Sequence, residues 1–338
     1  MILLTETDVA RLIDHELALS AAEAALLHPH GDHAATHLRI TLGSDGPPFR
    51  ALTIMGQTGP SSVVVKTNVH GGTGADKRSG SLLTLWDGVA ATPLALIAAA
   101  GFNDHRTAAG FAVAARHMAR PDAATLVVFG TGKMAAPTVR YVCRVRPIRR
   151  VIIVSRMPER AAAMAARLTD AFAGRGPSVE PARDPAEAAA AADILVTVTV
   201  SSTPVFPGAA LRSGALVILG GANRPDAREA DDDFARRALV VADDAERCTT
   251  DAGDVRLALA SGALEGGRLM DGLGAFRAGA AVPGGVLGFK SMGLASQDAA
   301  LAEALVRRAR ARGIGQVFSG FDPVPSGTLP LPAEAPLD

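Results

Sequence analysis

One short run constrains the fold of this chain more than any other. Thr125-Leu-Val-Val-Phe129 is an apolar stretch of strand length that ends directly on Gly130-Thr-Gly132-Lys-Met-Ala135, and a helical pattern follows. In a G-x-G-x-x-A at a strand-to-helix turn, the first Gly permits the tight turn and the second lets the backbone approach a pyrophosphate. The Ala lets helix and strand pack closely, and the helix N-terminus offers free N–H groups with a positive dipole end. The spacing alone is a weak signal. Its context strengthens it, because the next apolar run, Val151-Ile-Ile-Val154, ends about 20 residues on, where a ribose-recognising residue is expected. Strand candidates at 194–200, 215–219 and 239–242 alternate with helices such as 158–168 and 185–192. Five strands in that rhythm predict a parallel, doubly wound sheet.

The first hundred residues read differently. Residues 5–27 have helical periodicity, with Thr5 or Thr7 as the cap, and strands are expected at 37–42, 49–55, 62–67 and 81–85. A second helix is expected over 104–119, stopped by Pro121-Asp122. A last long helix is expected over 294–312, and the tail to Asp338, rich in Pro and Gly, reads as loop.

Composition removes several function classes. The 34 Lys and Arg balance 34 Asp and Glu, which argues against a nucleic-acid or anionic-membrane partner. With one Trp (Trp86) and one Tyr (Tyr141), the chain lacks the rings of a single-strand stacking platform. Cys143 and Cys248 have no metal-ligand spacing, and such sparse use suits a reducing compartment. Thr5, Glu6 and Asp8 follow Met1-Ile-Leu-Leu at once, unlike a signal peptide, so a cytoplasmic location is expected. The longest apolar stretch, 88–102, is interrupted by Thr92 and Pro93 and is short of the roughly 20 residues of a membrane span.

At the end of the second strand stands Ser155-Arg156, with no acid for a ribose 2′-hydroxyl. A hydroxyl and a guanidinium suit a 2′-phosphate instead, so NADPH is expected over NADH, which stays possible. The alternative is that Arg156 is a solvated arginine opening the next helix. Lys66, in Val63-Val-Val-Lys-Thr67, is either a buried proton-transfer group of lowered pKa or an edge-strand lysine that blocks aggregation. Arg106, in the first turns of a helix, calls for a compensating anion. Arg39, among strand formers, can equally be an exposed strand residue. The histidines at 28, 30 and 33 lack downstream partners with ligand spacing, so no metal is expected. Asp231-Asp-Asp233 reads as charge complementing a helix N-terminus, and no G-x-S-x-G or P-loop sequence is present.

These pieces occur in one order. Lys66, His105-Arg-Thr-Ala-Ala109, the Gly loop, Ser155-Arg156, Gly220-Gly-Ala-Asn-Arg-Pro-Asp226 with Glu229, and Phe289-Lys-Ser-Met-Gly-Leu-Ala-Ser-Gln-Asp298 resemble the ornithine cyclodeaminase/μ-crystallin family over roughly residues 1–315. The resemblance implies an α/β protein: a Rossmann-type doubly wound domain (119–294) plus a second α+β substrate and dimerisation domain (1–118 and 295–338), assembled as a homodimer. It also implies that Lys66, Arg39 and Arg106 hold the substrate carboxylate and the reacting nitrogen, with Asn223 orienting substrate or nicotinamide. Cofactor contacts are implied for Thr107, Gly130, Thr131, Gly132, Lys133, Met134, Ser155 and Arg156, with Thr199, Ser201, Met292 and Gly293 on the nicotinamide side.

Within the family, the cyclodeaminase branch has an Asp where this chain has Asn223. An amide takes no proton at neutral pH, so the sequence looks closer to ketimine reductases than to enzymes that expel ammonia. The expected activity is reduction of Δ1-pyrroline-2-carboxylate or Δ1-piperideine-2-carboxylate to L-proline or L-pipecolate. The alternatives are an ornithine or lysine cyclodeaminase or another amino-acid dehydrogenase, and a non-catalytic NADPH or small-ligand binding protein. Ala91-Thr-Pro, Ile97-Ala-Ala-Ala100 and His70-Gly-Gly-Thr-Gly-Ala-Asp76 depart from the family pattern near the substrate pocket, which leaves the choice of imine open.

Overall fold

A computed structural model describes residues 1–27, 38–42, 49–58, 61–72, 76, 78–276, 284–321 and 323, with 38–42 and 58 through their backbone alone. The first lobe runs β1 (Ile2–Leu4), α1 (Glu6–Leu12), α2 (His15–Leu27), β2 (Leu38–Leu42), β3 (Phe49–Thr58), β4 (Ser62–Gly71), β5 (Arg78–Asp87), β6 (Thr92–Ala98) and α3 (Ala100–Met118). The second begins β7 (Thr125–Phe129), α4 (Ala135–Val145), β8 (Arg150–Val154), α5 (Pro158–Phe172), β9 (Ser178–Ala182), α6 (Pro185–Ala191), β10 (Ile194–Thr197) and β11 (Leu216–Leu219). It continues α7 (Asp232–Arg237), β12 (Ala238–Ala242), α8 (Ala245–Asp251), α9 (Gly253–Ala260), β13 (Leu269–Asp271) and β14 (Val286–Lys290). Then α10 (Ala295–Arg312) and β15 (Gln316–Val317) return to the first lobe. No helix among the described residues is long and apolar enough to cross a membrane, and those residues hold no His, Cys or acidic cluster that could bind a metal. The histidines at 28, 30 and 33 lie outside the described residues.

The expected helix over 5–27 is two helices. Thr5 and Asp8 form a capping box, with the Asp8 amide donating to Thr5 Oγ1 at 3.2 Å, and start α1. Ile13 is extended, and the Asp14 carboxylate then accepts from the Leu17 amide at 2.8 Å in the first turn of α2. A second carboxylate at a helix start breaks the periodic stretch. Glu6 in turn accepts from the Ala100 and Gly101 amides (2.8 and 3.1 Å) at the start of α3.

The first sheet has the order β15-β1-β6-β5-β4-β3-β2. One face carries Val64, Lys66, Leu83, Leu85, Ala95 and Ile97, all buried, with α10 packed over β3 and β4. Gly56 allows this close approach, because a Cβ there would collide with Ala295. β1 and β6 extend the sheet beyond the four expected strands. The apolar stretch at 88–102 is thus resolved into a turn, β6 and the start of α3.

The second sheet is parallel throughout, in the order β13-β12-β14-β11-β10-β7-β8-β9. It has eight strands where five were expected. β9 is an edge strand that contains Pro181 and β13 has three residues, so neither has a strong pattern. β14 inserts between β11 and β12 although it follows both in sequence. The strand order reverses between β7 and β10, the switch point outside whose carboxyl ends open α/β sheets bind ligands.

Candidate active site

The Gly loop sits at that switch point. Gly130 has φ +117°, and a Cβ there would lie 2.8 Å from the Val198 carbonyl oxygen, so any larger residue would displace the end of β10. Gly132 is the opposite case: nothing lies within 4 Å of where its Cβ would be, and this open space leaves the backbone free to meet a ligand. α4 begins after Met134 with no side-chain cap, leaving its first N–H groups for an anion. Ala135 is fully buried between helix and strand. This cradle fits a dinucleotide pyrophosphate. Ser155 accepts from the Met157 amide at 3.2 Å, and the exposed Arg156 has no acidic partner among the described residues.

Facing the loop from the first lobe is a buried ionic cluster. Lys66 is on β4, an interior strand, and is 1% exposed, which rules out the edge-strand reading. Its Nζ lies 2.6 Å from Asp298 Oδ2 and donates to Asn103 Oδ1 at 3.3 Å. Arg106 Nε lies 3.0 Å from Asp298 Oδ1, in charge contact without hydrogen-bond alignment. The anion that Arg106 calls for is therefore supplied by the protein, from the second turn's neighbour α10. The Arg106 guanidinium packs against Gly293 (φ +78°), where a Cβ would overlap it. Burial, then the Arg106 charge, push the Lys66 pKa down to about 8 against the opposing pull of Asp298. Lys133 of the Gly loop bridges to Asp104 at 3.1 Å and ties the loop to α3 one turn from this cluster. Arg39 pairs with Ile54, Ile54 with Lys66 and Lys66 with Leu83, so Arg39 shares a cross-strand row with the lysine; its side chain lies outside the described residues.

The sequence pattern of the Ornithine cyclodeaminase/mu-crystallin family matches residues 8–313. The chain belongs to this family. A Delta(1)-pyrroline-2-carboxylate reductase of Bacillus cereus is 32% identical over 244 residues, 71% of this chain and 74% of that one. The ketimine reductase mu-crystallin of Rattus norvegicus is 29% identical over 223 residues, 66% and 64% of the two chains. In fold, the chain is similar to the structure of Thermococcus litoralis Delta(1)-pyrroline-2-carboxylate reductase in complex with NADH and L-proline. The TM-score is 0.85 at 24% identity, over 94% of this chain and all of that one.

Beneath the cleft of this family member lies a buried polar frame. Glu229, with no exposure, accepts from Thr197 Oγ1, Thr199 N and Oγ1, and the Gly221 and Ala222 amides at 2.7–3.1 Å. Lys290 donates to the Ala222 carbonyl (2.7 Å) and to Asp254 (3.0 Å), whose other oxygen accepts from the Glu229 and Ala230 amides. Asp243 accepts from Ser291 Oγ and the Met292 and Gly293 amides, which fixes the turn behind Arg106. Thr199 therefore commits its hydroxyl to Glu229, and Ser201 donates to the Thr203 carbonyl at 2.7 Å. With its amide oriented so that the nitrogen faces acceptors, Asn223 donates to the Ser291 and Ala222 carbonyls at 3.3 Å each. Thr107 follows Arg106 in α3 and is half-buried.

Asp298, Asn103, Asp104, Asp243, Asp254 and Lys290 were not singled out from the sequence. A signal for Asp298 was present: it lies on the stripe Ala295, Asp298, Leu301, Ala302, Leu305 and Ala309 that α10 buries. A charge on an apolar stripe is buried only with a partner, and Lys66 on the inward row of β4 is that partner.

Proposed function

We propose that this chain reduces a cyclic ketimine carboxylate, such as Δ1-pyrroline-2-carboxylate or Δ1-piperideine-2-carboxylate, with NADPH to give L-proline or L-pipecolate. The observation that carries this reading is the enclosed Lys66 ammonium of lowered pKa, held by Asp298 beside Arg106 and across from the Gly loop. The names of the bacterial and rat relatives support reduction of a C=N bond, and the Thermococcus litoralis enzyme of similar fold is in complex with NADH. A bound reduced nicotinamide would supply the hydride to the imine carbon. The C=N electron pair moves to nitrogen, and Lys66 delivers the proton there. Arg106, whose terminal nitrogens have no acceptor among the described residues, holds the substrate carboxylate. In this reading Arg39 completes the clamp. Thr107, Thr131, Lys133 and Met134 surround the pyrophosphate, and Met292 and Gly293 shape the nicotinamide side. Residues 119–294 form the dinucleotide unit, and 1–118 with 295–338 the substrate and pairing unit. The outer face of the first sheet, with Met55, Val69, Leu82 and Trp86 each more than a third exposed, is the face we assign to pairing with a second copy.

The deciding assay is NADPH oxidation against a panel of cyclic imino acids, with ornithine and catalytic NAD+ as the contrast. Ammonia release from ornithine in place of net NADPH consumption would reverse the reading. Arg156→Ala is expected to weaken kcat/KM with NADPH by about tenfold and leave NADH little changed, from loss of one charge-assisted phosphate contact; an equal change with both cofactors would exclude that contact.

A pH profile tests the proton donor. Lys66 donates only when protonated, so kcat/KM is expected to fall as pH rises through about 8. Asp298 raises the Lys66 pKa, and removing its charge must lower it. Asp298→Asn therefore moves the fall toward acid, by about a unit or more for a buried contact at this distance. A profile that stays in place would separate Lys66 from the titration.

A further inference from the structure

At the amino ends of β8 and β9, opposite the carboxyl ends that carry the Gly loop, a cavity of about 800 Å³ opens between the C-terminal half of α4, the turn after α5 and the start of α2. Arg140 and Arg144 reach it from α4, Arg149 from the residue before β8 and Arg175 from the turn before β9. Ala173 (φ 47°) and Gly174 (φ 72°) both adopt left-handed backbone and reverse the chain that carries Arg175. Ile148 and Phe172 give the cavity an apolar floor, and His15 closes one side.

None of the four guanidinium groups has an ion pair or hydrogen bond with another described residue. Their neighbours in the same stretch are satisfied. Arg146 donates to the Val145 and Ala119 carbonyls, and Arg150 donates to Glu180 at 2.6 Å. Asp14, the carboxylate next to His15, is engaged by Arg308 at 2.6 Å. The chain as a whole is charge-balanced, so this concentration of positive charge is local. Burial, then Arg144, His105 and Arg140, hold His15 below its usual range, in keeping with two of these guanidinium charges lying close to it. Like charges one helical turn apart, as Arg140 and Arg144 are, repel unless an anion lies between them.

We propose that this cavity is a second anion site, separate from the dinucleotide cleft, and that it takes a di- or triphosphate. Planar guanidinium forks match phosphoryl oxygens, several of them are needed to offset a multiply charged chain, and the volume is that of a small-molecule site. The floor at Ile148 and Phe172 leaves room for an organic group on the phosphate.

The test is calorimetric titration of the full chain, first saturated with NADPH so that the Gly loop is filled. Inorganic triphosphate and ATP are the two probes. One saturable site per chain is expected, weakened at least about tenfold in Arg144→Glu/Arg175→Glu, since each removed charge-assisted contact counts for roughly that factor. Arg236→Glu, on α7, should bind like the wild type, and NADPH affinity should be unchanged in every variant. Arg140→Gln and Arg149→Gln remove charge without reversing it, so they report on the site even if the reversed-charge chain folds poorly. Tighter binding of ATP than of triphosphate assigns the floor to an organic group, and equal binding assigns the site to phosphate alone. Absence of saturable binding, binding that the arginine changes do not weaken, or equal binding of polyglutamate would overturn the proposal.

Discussion

Lys66→Met is expected to lower imine reduction by about a thousandfold or more, the range lost when a positioned proton donor is removed, while NADPH affinity stays near that of the wild type. Methionine keeps an unbranched apolar stem in the space that Lys66 fills, so the loss would report the ammonium and not a cavity. Asp298 keeps Arg106 as its counter-charge at 3.0 Å, which prevents a wholly unpaired buried carboxylate. Fluorescence titration of NADPH alongside steady-state kinetics separates the two effects. Parallel losses of cofactor affinity and turnover would place Lys66 in the frame of the cleft and not in the chemistry.

Glu229→Ala should act through stability. Five donors end on this carboxylate, three of them backbone amides at the ends of β10 and β11. Truncation strands them away from water, and the cost is about 3–5 kcal/mol, as for other broken buried charged networks. Denaturant unfolding would show it as an earlier midpoint with an unchanged slope. Glu229→Gln should fall between, because its amide nitrogen would face donors. An unfolding free energy within about 0.5 kcal/mol of the wild type for Glu229→Ala, the size of an ordinary surface change, would mean that water replaces the carboxylate.

How much of this was legible in the sequence follows from the range of each interaction. The Gly loop, the strand before it and the rhythm of β7 to β11 are local signals, and they led directly to the doubly wound sheet. The place of β14 between β11 and β12, the parallel pairing of β1 with β6 and the return of β15 are set by contacts across long separations that no window of sequence contains. Lys66 and Arg106 were visible because each is a cation in an apolar pattern. Asp298, which holds both, was quoted only as part of a longer string, since its role exists only once α10 lies across β4. The same applies to Glu229: nothing in Ala227-Arg-Glu-Ala230 tells that the acid turns inward, and its acceptors' partners come from two distant strand ends.

The near-complete enclosure of the Lys66 ammonium also bears on how the catalyst would recharge. A hydrogen ion surrendered by so enclosed an amine is not replaced directly from bulk water, so the spent amine must wait until the packing around Lys66 opens locally. Refilling that donor and discharging the product would then share a single breathing motion, and a thickened solvent should slow both together.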